Sequence, residues 1–138
     1  MVDRPKIDEM LSNLHSYAAV LKHLAATSRE PFLANTDKTG NAKYHMVIAI
    51  ECCIDITNHI IASEQYRIPS DNADGFTILY EHHVIPEELA ERLRAMARFR
   101  NRLVHLYWRI DDERVWDYLQ TGLGDLDRFM AAVASFSV

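Results

Sequence analysis

The chain has little of what would interrupt or crosslink a helical fold. It contains four glycines, four prolines and two cysteines in 138 residues. The cysteines, Cys52 and Cys53, are adjacent, which fits neither a disulfide framework nor a zinc-ligand spacing. We expect them to be small buried residues in a reducing compartment. No run of 18 apolar residues occurs and the N-terminus lacks a signal-peptide core, so we predict a cytoplasmic protein without a membrane-spanning helix.

An excess of positive charge is also missing. Fifteen Lys and Arg against twenty Asp and Glu give a net charge of −5, so any contact with a nucleic acid must come from a local patch. The basic residues are unevenly distributed, because no lysine follows Lys43 and arginines crowd one segment. They are Arg92, Arg94, Arg98, Arg100, Arg102 and Arg109. The outer arginines form either a solvated helix face paired with glutamates or a patch of this kind.

Apolar residues recur at spacings of three and four through most of the chain, which predicts helices. A chain of this length corresponds to one domain, residues 1–138. In the first half of the chain we predict a first helix ending near Ser28, a connector over Arg29–Asn41 and a second helix over 42–64. A loop over Arg67–Gly75 and a short helix over Phe76–Val84 follow. A third long helix runs from Pro86 to about Tyr107, and a fourth is capped by Asp111 and Asp112. We therefore predict an all-α fold, an antiparallel four-helix bundle with an extra short helix.

The segment Arg100–Tyr107 carries the most specific chemistry. An arginine stays charged and binds phosphate oxygens with a planar fork, and a histidine exchanges protons near neutral pH. Arg100 and His105 together have the chemistry to bind an RNA phosphodiester and cleave it. Asn101 lies one turn before His105, from where a hydrogen bond would fix the imidazole.

Arg100 falls on the apolar stripe of its helix, where an unpaired charge is costly. The second helix offers carboxylates, because Glu51 and Asp55 are one turn apart on an otherwise apolar element. They either neutralise Arg100 within the bundle or line an active cleft with it and orient the catalytic side chains. Both readings are compatible.

One regular helix does not direct Arg100 and His105 at the same atom. Residues five apart are separated by about 140° around the axis. A complete site therefore needs a bent helix end or a second copy of the motif across a two-fold axis. This geometry predicts a homodimer with a composite cleft.

A metal site is the competing reading of the histidines. Asp55 and His59 have helical spacing, and His45, His82 and His83 add imidazoles. No Glu-x-x-His pair and no second carboxylate–histidine set accompany them. We therefore predict no metal and no other cofactor.

Residues 100–107, Arg-Asn-Arg-Leu-Val-His-Leu-Tyr, resemble the motif of the HEPN superfamily. More closely, the chain resembles the HepT-like toxins that are paired with minimal nucleotidyltransferase (MNT) antitoxins. Their motif reads Arg-Asn-x-aliphatic-aliphatic-His-x-Tyr. The flanking Ala97-Arg98-Phe99 and Trp108-Arg109-Ile110-Asp111, and the acidic helix around Glu51, are also similar.

The resemblance implies the toxin component of a toxin–antitoxin system, an endoribonuclease that needs no metal. Arg100 would bind the scissile phosphate, His105 would act as general acid or base, and Asn101 would position His105. Glu51, Asp55 and Arg102 would support the cleft. Tyr107 would be the hydroxyl that the cognate antitoxin modifies with AMP, blocking the RNA. The alternative is a non-catalytic helical module that binds a nucleotidyltransferase or a nucleotide.

Overall fold

The computed structural model describes residues 2–106 and 111–136, and this part of the chain is helical without a strand. Its seven helices are α1 (Arg4–Ala25), α2 (Arg29–Leu33), α3 (Thr36–Ser63), α4 (Asn72–Glu81), α5 (Glu87–His105), α6 (Asp112–Thr121) and α7 (Leu123–Ser135). The long elements α1, α3, α5 and the pair α6–α7 form the bundle, with α2 and α4 in the connections. The predicted all-α fold class is confirmed.

Helix α3 is the central element. It packs against α1, α4 and α5, and residues around much of its circumference are buried, among them Met46, Ile50, Ile56 and Ile60. Over 18 residues its mean hydropathy reaches 1.5, so by length and composition alone it is able to cross a membrane. Its burial against three neighbouring helices accounts for the same apolar composition, because a core helix is apolar nearly all round.

The predicted start of α3 was six residues too late. Asn35 caps the helix, since its side chain accepts a hydrogen bond from the backbone N–H of Lys38 at 3.1 Å. Asp37 lies in the first turn, where a negative charge is favourable. These two interactions let α3 begin at Thr36 and run through Gly40, so the connector ends at Asn35 and itself contains α2.

Helix α4 also begins earlier than predicted. The Asp71 side chain accepts a hydrogen bond from the backbone N–H of Asp74 at 2.7 Å, which caps a helix that starts at Asn72. The predicted loop therefore ends at Asp71. Arg67 fixes this loop by donating to the carboxylates of Asp74 and Glu81.

The predicted fourth helix is two helices that meet at Gly122. Its N–H donates to the carbonyl of Tyr118 at 2.7 Å, and the Tyr118 ring lies over the glycine. A Cβ at this position would be 2.7 Å from the ring, so any residue other than glycine would have to displace the Tyr118 ring at the tight turn between α6 and α7. The apolar stripe continues across this break, which is why its periodicity predicted one helix.

Candidate active site

Helix α5 carries Arg100, Asn101 and His105 on its last two turns. Leu89, Leu93, Met96 and Leu103 are buried on its inner face and hold it against α3 and α4. The helix ends at His105, and Leu106 closes it by donating its N–H to the carbonyl of Arg102 at 2.8 Å. Arg100 and His105 thus lie on a rigid helix whose inner face sets their directions.

Arg100 points inward, towards α3. Its Nη2 donates to Oε1 of Glu51 at 2.6 Å, and its Nη1 donates to Oδ1 of Asn101 at 3.0 Å. The side chain is 22% exposed, and its Nε is buried with no hydrogen-bond partner in the described chain. The predicted pairing of Arg100 with a carboxylate of the second helix is therefore present, and it leaves one donor unused.

A polar cleft of about 220 Å³ opens beside Arg100. Its lining consists of Glu51, Ile54, Asp55, Asn58, Asn72 and Arg100. Burial and the neighbouring Glu51 carboxylate raise the pKa of Asp55, and the Arg100 guanidinium opposes that rise. When Asp55 is ionised, two carboxylates face one guanidinium, so this cleft alone does not attract a phosphate.

A second hollow of about 260 Å³ lies on the other side of Glu51 and Asp55. Its remaining lining residues are Met10, Asn13, Tyr17, Ile48 and Cys52. The two carboxylates thus form a ridge between two openings, and Glu51 and Asp55 border the cleft as predicted. Asn72 was missed, because it was assigned to a loop. The capping residue Asp71 was the available signal that it begins a helix.

His105 faces solvent on the opposite side of α5 from Arg100. The exposed residues nearest to it on this face are Asn101 and Arg102. His105 has no hydrogen-bond partner among residues 2–106 and 111–136. The expected contact between Asn101 and His105 is not formed, because the Asn101 amide oxygen accepts from Arg100 instead.

Within one protomer, Arg102 does not line the cleft beside Arg100, and its predicted role in supporting the active cleft stays a prediction. Its guanidinium carbon is 5.8 Å from the centroid of the Phe99 ring. It borders a separate hollow of about 260 Å³ between α5 and the α6–α7 turn, which Arg92, Tyr118 and Asp125 also line. The step of 200° between Arg100 and Arg102 on a helix explains this placement.

Tyr107 lies outside the described residues. Within the described ranges no three His, Cys, Asp or Glu side chains are grouped to hold a metal. His59 contacts the Ser63 hydroxyl at 3.5 Å rather than a second ligand. Cys53 is buried and Cys52 partly so. Burial raises the pKa of both thiols, that of Cys52 to about 11.

Comparison with known proteins assigns the family. A model of the ribonuclease HepT-like family matches residues 7–133, a range that contains nearly all of the helical bundle and the segment 100–107. The chain belongs to the ribonuclease HepT-like family. The resemblance seen in the motif is thus confirmed over nearly the full length.

Two relatives and one solved structure illustrate this HepT-like membership. The mRNA nuclease HepT of Shewanella oneidensis is 35% identical over 83 residues, 60% of this chain and 62% of that protein. The tRNA nuclease HepT of Aphanizomenon flos-aquae is 23% identical over 96% of this chain and 90% of its own. The fold is shared with a tri-AMPylated Shewanella oneidensis HEPN toxin in complex with MNT antitoxin, with a TM-score of 0.88, 24% identity and coverage of 99% and 100%.

Proposed function

We propose that this protein is the toxin of a toxin–antitoxin pair and acts as an endoribonuclease in the cytoplasm. The observation that carries the proposal is the uninterrupted sequence motif from Arg100 to Tyr107 in a chain that the HepT-like model matches over residues 7–133. The names of two relatives, an mRNA nuclease and a tRNA nuclease, support RNA as the substrate class.

The proposed chemistry is a transfer within the RNA. His105 accepts the proton of a ribose 2′-OH, whose oxygen attacks the adjacent phosphorus while the bond to the 5′ oxygen breaks and that oxygen takes up a proton. Arg100 donates to the phosphate oxygens as negative charge develops on them. The internal nucleophile is already close to phosphorus, so the reaction needs no metal.

In this proposal the two motifs of a symmetric homodimer face one cleft, which then holds two symmetry-related sites, each with Arg100 of one protomer and His105 of the other. Arg100 faces α3 and His105 faces solvent, so neither completes a site with the other in one protomer. Val104 and Leu106, which flank His105, are 43% and 38% exposed, and apolar side chains in this position suit a symmetric interface. Glu51 and Asn101 then position Arg100, and a phosphate must compete with Glu51 for it.

Cleavage of RNA by the purified protein tests the function. We expect wild-type activity to persist in EDTA and the His105→Ala variant to lose about 10²–10⁴-fold, the usual contribution of a general acid or base. A non-catalytic module that binds a nucleotidyltransferase or a nucleotide gives no cleavage in either form. Activity that EDTA abolishes and a divalent ion restores would reject the metal-independent mechanism.

Regulation by a cognate MNT-type nucleotidyltransferase antitoxin is the second part of the proposal. Transfer of AMP to the Tyr107 hydroxyl adds about one negative charge per AMP, which repels RNA and competes with it for arginines. A Tyr107→Phe variant should stay active and resist neutralisation by the co-expressed antitoxin. Mass spectrometry of the wild type should show AMP increments on the peptide that contains Tyr107, and their absence would contradict this assignment.

A further inference from the structure

Two arginines of α5 have no polar partner among residues 2–106 and 111–136. Of the five arginines on this helix, Arg92 is paired with Asp125, Arg94 donates to the Thr77 hydroxyl and Arg100 is paired with Glu51. Arg98 and Arg102 are exposed and make no hydrogen bond or ion pair with the described part of the chain. In a protein with a net charge of −5, two adjacent unneutralised cations are a local exception.

These two arginines share a face with His105. At 100° per residue, Arg98, Arg102 and His105 fall within about 60° of one another on α5. Arg98 and Arg102 are one turn apart, with Cβ atoms about 6 Å from each other, and His105 follows three residues later. We call this row of three residues the outer stripe. The two exposed residues that precede the outer stripe on this face are Glu91 and Ala95. Neither is basic, so the positive charge starts at Arg98.

The charges of the two faces of α5 differ in sign. The inner cleft holds Glu51 and Asp55 against Arg100, whereas the outer stripe carries the two cations Arg98 and Arg102. A polyanion approaching His105 is therefore attracted by the outer stripe and opposed by the carboxylates of the cleft. Arginine forks suit phosphate oxygens in particular.

We propose that Arg98 and Arg102 bind successive backbone phosphates of single-stranded RNA and thereby guide the strand to His105. The inference rests on the proposed ribonuclease function and adds the residues that hold the substrate outside the scissile phosphate. The contacts are to the backbone, so they bind RNA irrespective of its base sequence. Because Arg98, Arg102 and His105 follow one another along α5, an RNA strand that contacts all three must lie parallel to the axis of this helix.

The salt dependence of RNA binding tests this placement. The full-length His105→Ala protein is titrated against a fluorescent single-stranded RNA at several KCl concentrations, so that binding is measured without cleavage. Each phosphate contact contributes about 0.7 to the slope of log K against log salt for a single strand. We expect Arg98→Ala and Arg102→Ala each to reduce the slope by about 0.7 and the double variant by about 1.4.

Two further variants make the test specific. Arg98→Lys and Arg102→Lys keep the charge and should restore most of the slope. Arg128→Ala removes an exposed arginine of α7 that pairs with Glu88 in the first turn of α5, and should leave the slope unchanged. In the cleavage-competent protein, the alanine variants should raise KM for RNA more than they lower kcat.

The outcomes separate the two proposals. A wild type that neither binds nor cleaves RNA rejects the ribonuclease function and this inference with it. A wild type that cleaves RNA while the double variant keeps the parent slope rejects the inference alone. Loss of antitoxin binding with an unchanged slope would also reject it, because the stripe would then be a protein-binding surface.

Discussion

Arg100 combines two requirements that are difficult to satisfy together in one side chain. In the proposed function, Arg100 must be held in a fixed direction inside a helical bundle while its charge stays available to a phosphate. Glu51 and Asn101 occupy the two Nη atoms, and the buried Nε has no partner in the described chain. The pair is partly exposed, so it contributes about 1 kcal/mol or less to stability. Its importance is therefore orientation rather than stability.

The fork of Arg100 leads to a prediction. Arg100→Lys keeps the charge and can still reach Glu51, but one ammonium does not reproduce the planar contacts to both Glu51 and Asn101. We expect the rate of RNA cleavage to fall by roughly 10²-fold, comparable with the loss of one donor to a developing oxyanion. The free energy of unfolding, measured by urea denaturation, should change by about 1 kcal/mol or less. Arg128→Lys is the matched control, and its cleavage rate should equal that of the wild type. An Arg100→Lys variant with full activity would show that the fork is not needed.

At the scale of single residues, the sequence predicted that Arg100 pairs with a carboxylate, but it did not predict the hydrogen-bond partner of Asn101. A charge on an apolar stripe requires a carboxylate, and Glu51 was one of two candidates. Asn101 was expected to hold His105, because the two are one turn apart. The geometry of adjacent residues instead lets its amide oxygen accept from Arg100, and a sequence pattern does not rank these two hydrogen bonds.

Among the elements, the four long helical stretches were predictable because their apolar periodicity is strong. The boundaries were not, because they depend on single capping residues within polar segments. Asn35 and Asp71 each cap a helix inside a segment whose Gly, Asn and Asp content is typical of loops. The break at Gly122 was missed for a different reason, since it depends on the Tyr118 ring, a contact that periodicity does not contain.

The two glycines at the start of α7 form a matched pair for testing this break. Gly122→Ala places a Cβ 2.7 Å from the Tyr118 ring, and moving the packed ring should cost about 1–3 kcal/mol. In Gly124→Ala the added Cβ meets nothing within 4 Å. Alanine loses less backbone entropy than glycine when the helix forms, so this change should stabilise the protein by up to about 1 kcal/mol. Thermal and urea unfolding measure the stability of both variants relative to the wild type. Equal effects of the same sign would contradict the proposed origin of the turn.

The loop between α3 and α4 supplies a prediction on pH. The Arg67 guanidinium and the N–H of Ser70 hold the pKa of Asp74 well below its usual range. A depressed folded-state pKa gives stability that is present above the unfolded pKa of about 3.9 and is lost as the pH falls below it. Asp74→Asn should therefore destabilise by about 1–2 kcal/mol at pH 7, and the difference from wild type should shrink at pH 3.

Asp8→Asn is the control for that experiment. Asp8 pairs with Arg4 on the surface of α1 with a side chain that is 61% exposed, so its loss should change stability by less than about 0.5 kcal/mol at either pH. If Asp74→Asn is equally mild at pH 7, the Arg67 contacts do not hold this loop.

At the scale of the whole molecule, the fold places Arg100 and His105, the two groups to which we assign the chemistry, on opposite sides of a helix. The sequence already contained this fact, since residues five apart differ by about 140°. The structure adds that α5 stays helical through His105, so no bend within the helix brings the side chains together. A second protomer is then the simplest source of the missing group, and a two-fold axis supplies it to both sites at once.

Mixing two inactive variants tests that arrangement directly. In a composite dimer, a heterodimer of Arg100→Ala and His105→Ala protomers keeps one intact site, built from the arginine of one protomer and the histidine of the other, and loses the second. After unfolding and refolding an equimolar mixture, about half of the dimers are heterodimers, so about a quarter of wild-type activity should return. Each variant refolded alone should remain inactive, and sedimentation should show dimers throughout. A mixture as inactive as its components, with heterodimers present, would mean that Arg100 and His105 of the same protomer serve one site and that the helix end must rearrange to bring them together.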